Sequence, residues 1–171
     1  SRYVDVDGDG IAARTLPGVS AKGAYFLRGS GHDKHGEYAE SEEGYQEVMD
    51  RLVRKLETAK SVLPDPVVER REGASGLLVC LGSSAAACRE AIDLLAARGL
   101  ALDLLRVRAF PFSRDVEAIL AEHEIVFVVD QNRDGQLRSL LVNETGIEKS
   151  KIRSVRHYSG TPLSAVHVLK E

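Results

Sequence analysis

The sequence predicts a three-layer α/β domain on a mainly parallel sheet of about five strands, with helices on both faces. Three observations carry this. Apolar runs of strand length recur after residue 67: LLVCLG at 77–82, ALDLLRVR at 101–108 and IVFVV at 125–129. Segments of helical spacing separate them. Strand and helix alternating at this pace require parallel strands joined by right-handed crossovers.

The elements follow in order. Residues 1–40 hold Gly8, Gly10, Gly18, Gly23, Gly29, Gly31 and Gly36 and little periodicity, so they read as an irregular arm that cannot close a core of its own. Ser41 is a plausible N-cap, with Glu42 and Glu43 at the positive end of the helix dipole. Tyr45, Val48, Met49, Leu52, Val53, Leu56 and Ala59 then form one apolar helical face. The opposite face carries charges, with Glu47 to Arg51 and Asp50 to Arg54 spaced for i,i+4 pairing. Pro64 and Pro66 end this segment. The expected division is an arm over 1–40, a helix and link over 41–66, and the α/β domain over 67–171.

Within that domain, Val67 and Val68 begin a short charged strand, and residues 77–82 suit a strand buried on both faces. A helix from about Ser84 should turn Ala87, Ala91, Leu94 and Leu95 inward and stop at Gly99. After the 101–108 strand, Phe110, Pro111 and Phe112 turn the chain, and Ser113 caps a helix running through His123. The strand at 125–129, a helix over Gly135 to Asn143, a strand over Ile152 to His157 and a helix after Pro162 complete the series.

Composition narrows the function classes. The 171 residues, 43% hydrophobic and 29% charged, suffice for one core plus an extension. The 23 Lys and Arg against 26 Asp and Glu give a net charge of -3, and no basic run offers a stripe for nucleic acid. No stretch approaches the roughly 18 apolar residues of a membrane span, and SRYVDVDGDG lacks a signal pattern. Cys80 and Cys88 have neither metal spacing nor a disulfide framework. The expectation is a soluble, cytoplasmic protein, excised from a longer chain.

Several motifs resemble sites, and each has a plainer reading. Asp5, Asp7, Asp9 and Gly10 imitate the start of a calcium loop, but Leu16 stands where a bidentate carboxylate belongs, so a solvated acidic turn is expected. Gly8-Asp9-Gly10 also imitates a thiamine diphosphate signature, yet the only asparagines, Asn132 and Asn143, are distant. Gly82-Ser83-Ser84 puts N–H groups at a helix N-terminus without the spacing of a dinucleotide fingerprint or a Walker-type Lys. Arg28-Gly-Ser-Gly-His-Asp33, with His35 and Glu37, fits an anion clamp, a metal site or a polar loop. Asp130 to Gln136 lies at the carboxyl end of the strongest strand, where parallel sheets usually carry function. Both cysteines suit buried small hydrophobes, and His123, His157 and His167 read as surface residues.

The runs VVERREG, LLVCLGSS and IVFVVDQNRDGQL resemble the C-terminal domain of the transketolase superfamily. With RVRAFPF at 106–112, QNRDGQL at 131–137, and YVDVDGDGIAARTLPG and GAYFLRGSGHD upstream, the chain more closely resembles the alpha subunit of 2-oxoacid:ferredoxin oxidoreductases. The resemblance implies a transketolase C-terminal-like domain with one antiparallel edge strand. It also implies an enzyme that converts a 2-oxoacid, by family preference 2-oxoglutarate, and coenzyme A to acyl-CoA and carbon dioxide, with electrons passed to ferredoxin. Thiamine diphosphate and magnesium would be held mainly by a beta subunit and completed by a pyrimidine-binding domain of the alpha subunit, with iron-sulfur ligands elsewhere. No cofactor or metal and no catalytic residue is then expected here. The implied role is architectural, with Arg28, Ser30, His32 and Asp33 as candidates at the substrate or coenzyme A entrance, and Asn132, Arg133 and Gln136 as candidates for interdomain or subunit contact. The competing reading is a stand-alone regulatory α/β module that binds a small anion.

Overall fold

The computed structural model describes residues 3–16, 18–24 and 31–170. It divides into two compact units, Ser1–Val62 and Leu63–Glu171. Among the described residues, no helix is long and apolar enough to cross a membrane.

The second unit holds five strands: β1 (Val67–Glu69), β2 (Leu77–Leu81), β3 (Asp103–Val107), β4 (Val126–Asp130) and β5 (Ile152–Arg156). They lie in the order β1-β3-β2-β4-β5. Only β1 runs antiparallel, with Val67 opposite Arg106 and Glu69 opposite Leu104. The other pairs are parallel. The predicted fold class is therefore observed, including its antiparallel edge.

Strand periodicity explains the layers. Leu77 and Val79 of β2 enter one core cluster with Leu105, Val126 and Val128. Leu78 and Cys80, facing the other way, join Leu104, Val129 and Val155 in a second cluster. The helices are α1 (Glu42–Ala59) in the first unit and α2 (Ser84–Ala96), α3 (Arg114–Ala121), α4 (Gln136–Thr145) and α5 (Ala165–Val168) in the second. Val116 and Ile119 of α3 and Leu137 and Leu141 of α4 cover the first cluster. Ala85, Cys88 and Ile92 of α2, with Ala165 and Val168 of α5, cover the second. The chain steps from β2 outward to β3, then returns past β2 to β4. Reversing direction while keeping right-handed crossovers puts α2 and α3 on opposite faces. The reversal opens a crevice between the carboxyl ends of β2 and β4.

Several details depart from the sequence reading. Ala91 and half-buried Leu95 face inward on α2, but Leu94 is exposed, because the inward stripe runs through Ala85, Cys88 and Ile92 instead. Ser113 precedes α3 without a side-chain cap bond, and its buried Oγ has no partner among the described residues. Gly135, in a left-handed conformation, precedes α4, which begins at Gln136. Gly99 does end α2, with φ +82 and a bond from Leu100 N–H to the Leu95 carbonyl at 3.1 Å.

In the first unit, Ser41 Oγ accepts the Gly44 N–H at 3.2 Å and so caps α1 as expected. The expected face of α1 is reversed in part. Tyr45, Val53 and Leu56 are exposed, whereas Arg51 is buried. Arg51 donates from Nη1 to the Gly10 carbonyl at 2.8 Å rather than pairing with Glu47. Arg54 lies 3.6 Å from Asp5, and Glu47 pairs with Lys34 at 3.1 Å. The neighbouring arm outcompetes the i,i+4 partners because Gly10 comes against the helix backbone: a Cβ there would lie 2.2 Å from Lys55 N. Thr58 Oγ1 adds a bond to the Asp9 carbonyl at 2.5 Å.

Candidate functional site

The crevice at the carboxyl ends of β2 and β4 is a cleft of about 540 Å³, lined by Gly82, Ser83, Ser84, Gln131, Asn132 and Gln136 among others. It gathers two motifs that the sequence reading singled out, the GSS turn and the DQNRDGQ loop. Their polar groups largely serve each other. Gln131 Nε2 donates to Ser84 Oγ at 2.9 Å, tying the loop to the start of α2. Buried Asp130 accepts N–H groups from Leu137 at 3.0 Å and Arg138 at 3.3 Å, and the Asn132 amide at 2.9 Å. Asn132 Oδ1 accepts from Asp134 N–H at 3.1 Å and Gln136 N–H at 3.2 Å. The two side chains thus do the work of an N-cap that Gly135 cannot do, satisfying the orphan donors of α4 and placing an anion at its positive end.

Of the contact candidates, Asn132 is therefore half-buried and engaged in capping. Arg133 is exposed and pairs with Asp134 at 2.7 Å. Gln136 is exposed, with its side chain on the cleft.

Of the entrance candidates, Arg28 and Ser30 lie outside the described residues. His32 stacks on Tyr3 with ring centroids 4.2 Å apart, and its Nδ1 lies 2.9 Å from the Asp33 carbonyl. Asp33 Oδ1 accepts the His35 N–H at 2.8 Å and the Glu37 N–H at 3.0 Å. Desolvation acts to raise the Asp33 pKa, but these N–H groups and the His35 charge outweigh it and hold it below the ordinary value. Its carboxylate stabilises a turn closed by the His32–Tyr38 bridge. The side chains of His32 and Asp33 are thus fixed by local bonds.

Asp5, Asp7 and Asp9 bring carboxylate oxygens within 4.8 Å of one another. Asp5 already accepts the N–H groups of Gly8 at 3.0 Å and Gly10 at 2.9 Å, and Asp9 accepts that of Ile11 at 2.6 Å. The cluster is a turn organised by its own backbone.

The sequence reading missed one buried polar network. Asp103 accepts the Arg71 N–H at 2.7 Å, Arg70 Nη1 at 2.9 Å and His123 Nε2 at 3.1 Å. Burial would raise the Asp103 pKa, yet the Arg71 N–H, Arg70 and His123 outweigh it and hold it below the ordinary value. His123 is buried, not at the surface, with Nδ1 2.8 Å from the Ile119 carbonyl. The available signal was an aspartate inside the apolar run ALDLLRVR, since an unpaired carboxylate is seldom buried. The network ties β3 to the segment after β1 and to the end of α3. It lies at the amino end of the parallel strands, so it reads as structural.

His157 and His167 are half-buried and meet edge to face at 4.7 Å, with Nε2 of His157 bonded to the Thr161 carbonyl and Nε2 of His167 to the Arg156 carbonyl at the end of β5. Cys80 and Cys88 are buried in one cluster. Contact with the Cys80 sulfur, and then burial, push the Cys88 thiol well above the usual thiol range. Contact with the Cys88 sulfur, helped by the charges of Arg106 and Arg89, outweighs burial and holds the Cys80 thiol below its ordinary value, which the sequence reading did not anticipate.

Comparison with known proteins agrees with this architecture. Residues 74–162, more than half of the chain, match the family model described as pyruvate:ferredoxin oxidoreductase core domain II. The chain is 32% identical over 173 aligned residues to 2-oxoacid:ferredoxin oxidoreductase 2, subunit alpha, of Aeropyrum pernix, covering 98% of this chain and 26% of that protein. It is 27% identical to the 2-oxoacid:ferredoxin oxidoreductase subunit alpha of Saccharolobus solfataricus, over 79% of this chain and 22% of that one. It thus spans about a quarter of the length of these relatives. In fold, it resembles the 2-oxoglutarate:ferredoxin oxidoreductase of Magnetococcus marinus, a structure with 2-oxoglutarate, coenzyme A and succinyl-CoA bound, with a TM-score of 0.79 at 23% identity over 98% of this chain and 29% of that chain. A split-gene transketolase matches with a TM-score of 0.51 at 22% identity, over 61% of this chain and 39% of that one. The fold, the motif order and the family match agree, and the chain belongs to the pyruvate:ferredoxin oxidoreductase core domain II family.

Proposed function

We propose that the chain is the C-terminal part of the alpha subunit of a thiamine diphosphate-dependent 2-oxoacid:ferredoxin oxidoreductase, and that its role there is architectural. The observation that carries this is 32% identity to such an alpha subunit across 98% of the chain. The complete enzyme would oxidatively decarboxylate a 2-oxoacid, with 2-oxoglutarate preferred, to acyl-CoA and carbon dioxide and pass two electrons to ferredoxin. Its partners would be the pyrimidine-binding domain of the same subunit, the beta subunit, coenzyme A and ferredoxin.

The cofactors of that enzyme do not fit the residues present. Thiamine diphosphate would supply the carbanion-stabilising chemistry, and its magnesium would need free oxygen donors such as carboxylates and amides. Asp5 and Asp9 are occupied by backbone N–H groups, and Asn132 is occupied in capping α4. An iron-sulfur cluster is held by a set of thiolates, whereas Cys80 and Cys88 form one buried pair. No step is therefore assigned to these groups within this chain.

The polar groups at the carboxyl edge support a scaffold role. Asp130, Asn132 and Gln131 stand where parallel sheets often carry chemistry, and they fix α4 and the start of α2 instead. Exposed Arg133 and Gln136 remain available for contact with the rest of the enzyme. His32 and Asp33, with Arg28 and Ser30 beside them in sequence, form the proposed border of the substrate or coenzyme A entrance.

The test is to co-express the complete alpha subunit with its beta subunit and measure 2-oxoacid- and coenzyme A-dependent reduction of a low-potential dye. The expected result is a stable complex turning over 2-oxoglutarate faster than pyruvate. Failure of the subunits to associate would remove the assembly reading. Activity on pyruvate alone would correct the substrate. Titrating this 171-residue chain with 2-oxoglutarate and coenzyme A tests the competing module reading. Micromolar saturation with a large thermal shift would favour that module, because a ligand that binds only the native state stabilises it.

A further inference from the structure

Within the first unit, the arm and α1 border a second, open cavity of about 520 Å³, and the charge of its lining is one-sided. Arg14, Arg51 and Lys55 line it together with His32, and the lining contains no carboxylate. Arg51 is more than nine-tenths buried. Its Nη1 donates to the Gly10 carbonyl at 2.8 Å, and its Cζ lies 6.0 Å from the centre of the Tyr3 ring. Its Nε is buried and has no hydrogen-bond partner among the described residues. Nor does an ion pair of Arg14, Arg51 or Lys55 occur among the described residues. None of the carboxylates of the nearby acidic turn, Asp5, Asp7 and Asp9, lines the cavity, and Asp5 bonds to its own backbone and pairs with Arg54.

A guanidinium withdrawn from water without a paired anion is costly. An anion in the cavity relieves that cost. Three cations exceed what one carboxylate needs. A phosphate group carries nearly two negative charges at neutral pH and presents three acceptor oxygens to a guanidinium fork and an ammonium. The volume leaves room for more than a bare ion. The stacked rings of Tyr3 and His32, 4.2 Å apart, supply a flat wall beside the cations.

We propose that this cavity binds a phosphate-bearing anion, with Arg51 as its buried anchor and Arg14 and Lys55 as the cations at its rim. The proposal does not depend on the oxidoreductase reading, because a chain of any other function with this cavity would bind the same group.

The experiment is calorimetric titration of the 171-residue chain with sodium pyrophosphate, and separately with succinate, at constant ionic strength. Arg14 and Lys55 are exposed, so Arg14→Gln and Lys55→Gln leave the fold intact, whereas an Arg51 variant risks losing the arm. Saturable binding of pyrophosphate is expected, at least tenfold tighter than that of succinate. Each single variant should weaken it roughly tenfold, and the double variant roughly a hundredfold, as charge-assisted contacts are lost. Absence of saturable pyrophosphate binding would overturn the proposal, as would unchanged affinity in the double variant. Equal or tighter binding of succinate would overturn the assignment to phosphate.

Discussion

The two units of this chain are held together by different physics. In Leu63–Glu171, a five-stranded sheet is packed on both faces by apolar side chains, among them Leu77, Leu105, Val126, Val128 and Leu141 at 0–1% exposure. In Ser1–Val62, the buried residues among those described are Gly10 and Arg51, and they bond to each other. One unit is stabilised by area removed from water, which survives changes in detail; the other rests on a few directional bonds and one close approach of backbones. A large-to-small change should therefore be damaging in the second unit and small on α1, and the loss of one glycine should disrupt the first.

The largest effect is expected from Leu141→Ala. Leu141 is fully buried beneath α4, so truncation removes apolar transfer energy and leaves a cavity, costing about 2–5 kcal/mol. Urea unfolding followed by circular dichroism measures it. A cost under about 1 kcal/mol would show that the two-cluster core does not carry the unit's stability.

Next comes Asp103→Asn, which leaves the buried His123 without its anion and weakens the bond to Arg70. The loss should be about 1.5–3 kcal/mol at neutral pH, the range for hydrogen bonds to charged groups. Its pH dependence has a definite sign. The folded pKa of Asp103 is depressed, so the unfolded state binds this proton at higher pH than the folded state. The stabilisation is fully present above the ordinary value of about 3.9 and is lost as pH falls through the depressed one. Stability curves of the parent chain and the variant should therefore converge in acid. A gap that persists undiminished would mean that the carboxylate charge is not what matters.

The same contrast explains what could be read from the sequence. The runs LLVCL and VFVVD announce themselves because both strand faces are buried, so every position is apolar and no register is needed to see it. Asp103 signalled a buried polar group, but its partners did not show in the sequence, because positions 70, 71, 103 and 123 meet only through the pairing of β1 with β3 and the docking of α3. The α4 cap was hidden for a related reason: Asp130 reaches the Leu137 N–H seven residues ahead, outside any local capping pattern. On α1, periodicity named an apolar stripe that the fold leaves largely exposed, and Arg51 is inside because Gly10 lets the arm touch the helix there. Of the entrance loop, the residue types were legible while the turn bonds holding Asp33 were not.

Gly10→Ala should break the first unit and leave the second intact. The φ of +83 costs an L-residue about 1–2 kcal/mol, and the added Cβ would collide with the backbone of α1 at Lys55 N and the Arg51 carbonyl. The bonds from Arg51 and Thr58 to the arm would be lost with it. Limited proteolysis should cleave the variant within residues 1–40 at least tenfold faster, while the urea midpoint of the α/β unit is unchanged. A matching fall in that midpoint would show that the two units unfold as one.

The smallest effect is the sharpest test of the comparison. Val53 lies on the apolar face of α1, and by helical periodicity alone its truncation should open a core. It is nevertheless 62% exposed, so Val53→Ala removes little buried area, and alanine is the better helix former. The two effects oppose each other, and the net change in this chain should lie within about 0.5 kcal/mol of zero. In the complete enzyme, a face of this kind would be covered if the scaffold reading holds, and the same substitution would then cost about 1 kcal/mol or more in subunit association. Measuring Val53→Ala first in the chain and then in the assembled enzyme separates a helix that is merely amphipathic from one that is half of an interface. Equal, negligible effects in both would leave α1 as a surface helix and confine the assembly contacts to the carboxyl edge of the sheet.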